Sequence, residues 1–96
     1  MDSSDIGKGC IVESIAGRDK DHLFIVLETI GEYALLVDGK IRRIENPKRK
    51  KIKHLRFHAL RDDVRVYSKI MAGIRPDNAE IRKTIALFVN SDKVSS

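Results

Sequence analysis

Between residues 9 and 58 the apolar runs are separated by gaps too short to hold a helix, and this spacing fixes most of what the chain can become. Parallel neighbours need a crossover of about a dozen residues or more, so strands in this stretch have to pair antiparallel. Cys10-Ile11-Val12-Glu13-Ser14-Ile15-Ala16 puts Cys10, Val12, Ser14 and Ala16 on one face, all small enough for the interior of a tight barrel. Gly17-Arg18-Asp19-Lys20-Asp21 reads as a turn, with Gly17 free to take positive φ. Leu23-Phe24-Ile25-Val26-Leu27 and Tyr33-Ala34-Leu35-Leu36-Val37 are continuous apolar runs, joined through Gly31-Glu32. Asp38-Gly39 is a favoured hairpin pair and predicts a fourth strand over residues 40–44. Asn46-Pro47 marks a break, and Leu55 and Phe57 then alternate with His54, Arg56 and His58 in a fifth strand. Five short strands fit a small closed barrel better than an open sheet.

After Leu60 the periodicity changes. Tyr67, Ile70, Met71 and Ile74 follow the i, i+3, i+4, i+7 spacing of a helix beginning near Asp62-Asp63, with Gly73 as its stop. Asp77-Asn78-Ala79-Glu80, after Pro76, has the form of a capping box and starts a second helix over about 77–89, with Ile81, Ile85 and Phe88 on one face. Both stripes read as core packing. The expected class is mainly β with a C-terminal α part: a flexible N-terminus at 1–8, a barrel at 9–60, two short helices packed on it at 61–90, and a flexible tail at 91–96. With 96 residues, two independent cores would each be too small to be stable.

Charge narrows the function. Residues 1–39 hold three Lys/Arg against eight Asp/Glu, whereas residues 40–56 hold nine Lys/Arg against Glu45 alone. The net charge of +5 is therefore smaller than the positive charge of one short segment. Concentrated charge of one sign repels itself in the folded state, so a polyanionic partner is expected. No apolar run approaches a membrane span, and Met1-Asp2-Ser3-Ser4-Asp5 is acidic where a signal peptide would be basic. The single Cys10 has no internal disulfide partner, which fits a reducing, cytoplasmic setting.

Residues 9–26 carry a known pattern. Gly9-x-x-Val12-x-Ser14-x-Ala16-Gly17-Arg18-Asp19-Lys20, followed by Phe24-Ile25-Val26, resembles the KOW motif, a strand–loop–strand signature of an SH3-like barrel. Asp38-Gly39-Lys40 and Pro47-Lys48-Arg49-Lys50-Lys51-x-Lys53-His54-Leu55 extend the resemblance to small bacterial KOW-domain RNA-binding proteins. Those are similar to KOW-type proteins of the archaeal and eukaryotic large ribosomal subunit. The resemblance covers residues 7–58 and, more loosely, the 77–88 helix. It implies RNA as partner, ribosomal RNA or the large subunit above all, with no catalysis and no cofactor. Asp21 departs from the pattern, since the KOW loop continues Asp-Lys-Gly; a side chain there is expected to alter the turn.

The candidate RNA-binding residues are Lys40, Arg42, Arg43, Lys48, Arg49, Lys50, Lys51, Lys53, His54 and Arg56, with Arg18 and Lys20 on the Gly17 turn. Lysine and arginine neutralise phosphates and release counterions, which gives affinity without sequence readout. Asp19 and Asp21 are expected to cancel the charge of Arg18 and Lys20. Gly17, Asp38 and Gly39 are turn residues. With no Trp and only Phe24, Tyr33, Phe57, Tyr67 and Phe88, mostly assigned to the core, no aromatic platform is read, and binding by backbone and shape is expected. His54 and His58 would lie roughly 13 Å apart on a strand, too far for a metal pair. His22 beside Asp21 has no nucleophile arranged with it. Neither a metal site, nor a catalytic site, nor a small-molecule substrate is expected. The rival readings are a peptide-binding SH3-like module, which would want an aromatic groove, and a transcription or translation regulator using the same barrel.

Overall fold

The computed structural model describes residues 6–60 and 64–94; the expectations for residues 1–5, for a helix start at Asp62-Asp63 and for residues 95–96 lie outside the described residues. The chain forms β1 (Ile11–Ser14), β2 (Leu23–Ile30), β3 (Tyr33–Val37), β4 (Lys48–Lys51) and β5 (Leu55–Ala59), then α1 (Arg65–Met71) and α2 (Asn78–Val94). The strands make one antiparallel sheet in the order β4-β3-β2-β1-β5, as the short connections require. β4 and β5 are its edges, joined in sequence by a single 3-10 turn (Ile52–His54). Among the described residues no strand pairing links these two edges, so the sheet is open in its hydrogen-bond ladder.

Both faces of the sheet carry a core, which explains why β2 and β3 read as continuous apolar runs rather than alternating ones. On the inner face Ile6, Cys10, Val12, Phe24, Val26, Ala34, Leu36 and Leu55 pack together, with Ile52 and Phe57 against them. On the outer face Ile11, Ile25 and Val37 meet Ile44 and the helix residues Val66, Ile70 and Ile81. Ile6 therefore belongs to the inner core, although the sequence places it in a flexible terminus. β2 keeps its faces in order through a bulge: the register against β3 shifts between Val26 and Glu28, so Leu27 is the extra residue where the strand bends.

Two elements differ from expectation. Residues 40–44 form no strand. A two-residue type I′ turn needs positive φ at both central residues, and only Gly39 (φ 78°) has it, Asp38 not being among the positive-φ residues. Asp38 instead organises a wider loop, its Oδ1 accepting the N–H groups of Lys40 (2.9 Å) and Arg42 (2.8 Å). The Asp38 and Gly39 N–H groups both donate to the Arg42 carbonyl. The basic run itself becomes the fourth strand.

The second difference is in α1. Met71 and Ile74 are 51% and 56% exposed, so that stripe is only partly core; the buried residues are Val66 and Ile70. Gly73 (φ 77°) stops the helix as predicted, with its N–H donating to the Ile70 carbonyl and the Ile74 N–H to the Lys69 carbonyl. That closure carries Ile74 past the helix end and off the stripe.

α2 starts on the predicted capping box. The Glu80 N–H donates to Asp77 Oδ1 at 2.8 Å, and the Asp77 N–H donates to Glu80 Oε1 at 3.1 Å. Ile81 is fully buried, Ile85 and Phe88 pack beside it, and the helix continues to Val94, into the stretch expected to be tail.

Candidate nucleic-acid interface

Strand geometry divides the basic run in two. Successive side chains of a strand point to opposite faces, and the register pairs Lys48 with Leu36 and Lys50 with Ala34, both inner-core residues. Arg49 pairs with Leu35 and Lys51 with Tyr33, on the outer face. Lys48 and Lys50 thus arrive at the rim of an apolar interior, where a charge needs a partner.

Asp19 is that partner. Lys50 Nζ donates to Asp19 Oδ1 at 2.9 Å and to the Ala16 carbonyl at 2.8 Å, and its side chain is only 11% exposed. Lys48 Nζ lies 3.1 Å from Asp19 Oδ2, and Ser14 Oγ donates to Asp19 Oδ1 at 2.7 Å. Burial pushes the Asp19 carboxyl up, but the hydrogen bonds from Lys50, Ser14 and Lys48 and the Lys50 charge outweigh it and hold the group well below the usual carboxylate range. Lys50, expected as an RNA contact, is therefore tied down by internal pairing, and Lys48, expected likewise, is paired with Asp19 while 28% exposed.

On the outer face the arrangement is different. The Arg49 guanidinium carbon lies 4.8 Å from the centroid of the Tyr33 ring, with Lys51 Nζ at 6.0 Å. Arg49 is exposed, Tyr33 and Lys51 are half-buried, and Ile30, paired with Tyr33 in register, is 59% exposed. The helices cover the other end of this face. Tyr33 is thus an aromatic outside the core, which the sequence reading missed.

The loop after β3 holds Lys40, Arg42 and Arg43 and is clamped from α2. Asn78 Oδ1 accepts the buried Ile44 N–H at 2.7 Å, while Asn78 Nδ2 donates to both Glu45 carboxylate oxygens at 3.2 Å. Arg82 Nη1 donates to the Gly39 carbonyl at 2.6 Å. Contact at Gly39 is close: a Cβ there would run into the Asn78 carbonyl oxygen. Asp38 lies at the loop's base, with His22 Nε2 at 2.6 Å from its Oδ2. Its burial raises the carboxyl pKa, but hydrogen bonds from the Lys40 N–H, His22 and the Arg42 N–H lower it further than burial raises it. The His22–Asp38 pair separates two open clefts of about 380 and 310 Å³, one reaching Lys40 and Arg82, the other Arg18, Arg42 and Lys48.

Arg18 and Lys20 are exposed on the Gly17 turn (φ 85°), and Asp19 pairs with the lysines of β4 rather than with them. Asp21 takes φ 74°, alone among the non-glycine residues described, and its N–H donates to the Ser14 carbonyl at 2.7 Å. The residue that departs from the KOW pattern thus adopts the backbone conformation that glycine takes most readily. Lys53 is exposed; Arg56 reaches Glu13 at 3.2 Å while 62% exposed, and Arg43 reaches Glu45 at 3.6 Å. Such exposed pairs hold a cation loosely. The His54 carbonyl accepts the Ile15 N–H, and His58 packs edge-on against Phe88.

Among the described residues no group of three or more possible metal ligands is present, and no helix is long and apolar enough to cross a membrane. Ser14 Oγ lies 2.7 Å from Asp19 Oδ1 and 3.0 Å from the Ala16 carbonyl oxygen. Sequence patterns gave no sign of Asp19 as a buried counter-ion or of Asn78 and Arg82 as clamps, because each role depends on a contact distant in sequence. No protein-family model matches the chain, and no curated protein matches it.

Proposed function

We propose that this protein is a non-catalytic RNA-binding protein built on a small SH3-like barrel of the KOW type. The barrel reading is supported by the strand order, in which the two edges are joined by one 3-10 turn, and by the apolar core on the inner face. The KOW resemblance of residues 9–26 points to structured ribosomal RNA of the large subunit. The observation that carries the RNA reading is the charge that remains once internal pairing is taken away. Arg49 and Lys51 lie on the edge strand β4 and Lys53 on the 3-10 turn that follows it, and Lys40, Arg42 and Arg43 lie on the clamped loop that precedes it. An edge strand made wholly of cations also repels a second copy of itself, so β4 suits a polyanion better than another strand.

The test is salt dependence. With roughly four to six phosphate contacts, log affinity for a structured RNA falls against log salt with a slope of about −3 to −5. Replacing Arg49, Lys51 and Lys53 by Gln makes that slope shallower by about two units with the fold retained. An unchanged slope in a folded variant refutes the proposal.

A further inference from the structure

We infer that Tyr33, Arg49 and Lys51 form a stacking site for one unpaired nucleobase of the bound RNA, an inference that rests on the RNA-binding reading above. Three observations place it. The site lies at the end of the outer sheet face that Val66, Ile70 and Ile81 of the helices leave uncovered. The ring of Tyr33 already holds the Arg49 guanidinium at 4.8 Å, so the flat cation is ordered before any ligand arrives. Arg49 is exposed and Tyr33 half-buried, so the guanidinium beside the ring is open to solvent.

The chemistry that fits such a plane is a second flat π-system. Unpaired bases stack on aromatic rings and on arginine guanidinium planes, whatever their sequence. A base within a duplex has both faces covered, so only a loop, bulge or end nucleotide can use the site. Its orientation follows from the register. Lys51 flanks Tyr33 from the β4 side, with Lys53 beyond it in the chain, whereas Glu28 and Ile30 lie on the β2 side. The sugar–phosphate backbone therefore runs along β4, over the cations, and the base edge points toward β2. Lysine at position 49 would keep the charge and lose the plane, which separates stacking from plain phosphate attraction.

The experiment uses two RNAs at one moderate salt concentration: a hairpin with 2-aminopurine in its loop, and a fully paired duplex of the same length. Wild-type protein is expected to bind the hairpin and quench the 2-aminopurine fluorescence. Arg49→Lys is expected to lose about fivefold or more in hairpin affinity, to lose the quenching, and to leave duplex affinity within about twofold. Tyr33→Leu, checked for folding by circular dichroism, moves the same way, because the guanidinium loses its support. If Arg49→Lys binds both RNAs as wild type does and the quenching persists, or if wild type never quenches, the stacking site is overturned while RNA binding stands. If wild type binds neither RNA even at low salt, the RNA-binding reading fails and takes the stacking site with it.

Discussion

Lys50→Met separates a structural lysine from its neighbours in a run that composition treats as uniform. The substitution keeps the apolar stem and removes the charge that meets Asp19 Oδ1 at 2.9 Å and the Ala16 carbonyl at 2.8 Å. Removing one member of a buried pair typically costs about 3–5 kcal/mol. Here Lys48 stays 3.1 Å from the carboxylate, and Asp19 is itself 17% exposed, so a loss of roughly 2 kcal/mol is expected. In a domain of this size that lowers Tm by about 8–16 °C. Arg49→Gln, one residue away but exposed, should stay within about 0.5 kcal/mol. Urea unfolding followed by circular dichroism at neutral pH measures both. Adding Asp19→Asn to Lys50→Met should restore about 1 kcal/mol or more, because the stranded charge is gone. Acid gives a second check. The folded Asp19 carboxyl is held below its ordinary value, so its contribution is present above the unfolded pKa and is lost as pH falls through the folded one. The stability difference between wild type and Asp19→Asn should then be flat from pH 7 to about 5 and shrink only below about pH 4. Equal effects of Lys50→Met and Arg49→Gln would refute the inward and outward division of β4.

Two further outcomes follow from the loops. Asp21→Gly should raise stability by about 0.5 kcal/mol in thermal melts, since φ 74° suits glycine, while Asp21→Val should lower it by more than about 1 kcal/mol. Asn78→Ala should cost about 1–3 kcal/mol by leaving the buried Ile44 N–H without its acceptor, and amide exchange at Ile44 should accelerate more than exchange in β1.

The antiparallel sheet was legible because gap length and apolar runs act locally, and the capping box of α2 because its partners lie three residues apart. What failed to show in the sequence depended on tertiary contacts. Asp38-Gly39 has the composition of a hairpin turn, yet the Asp38 carboxylate binds two N–H groups of the next residues and the loop opens out. The Tyr67, Ile70, Met71, Ile74 stripe has helical spacing, but the helix ends before Ile74 and the stripe rotates to Val66 and Ile70. At the candidate site, charge density marked the segment without saying which cations pair internally. Asp19, read as cancelling Arg18 and Lys20, instead reaches across to β4, 31 residues from Lys50.

That long reach bears on how the outward half of β4 is aimed. A strand reading Lys-Arg-Lys-Lys has no apolar alternation to fix its register, and a slip of one residue would exchange its faces. The inward pair supplies what the alternation lacks. Lys50 is tied to Asp19 and to the Ala16 carbonyl, and Asp19 is held in turn by Ser14 from β1. With those contacts made, Arg49 and Lys51 have one direction left, toward Tyr33. The acidic residue of the first turn therefore does more than offset charge: together with Ile52, which follows on the inward side and packs on the inner core, it holds Arg49 and Lys51 outward.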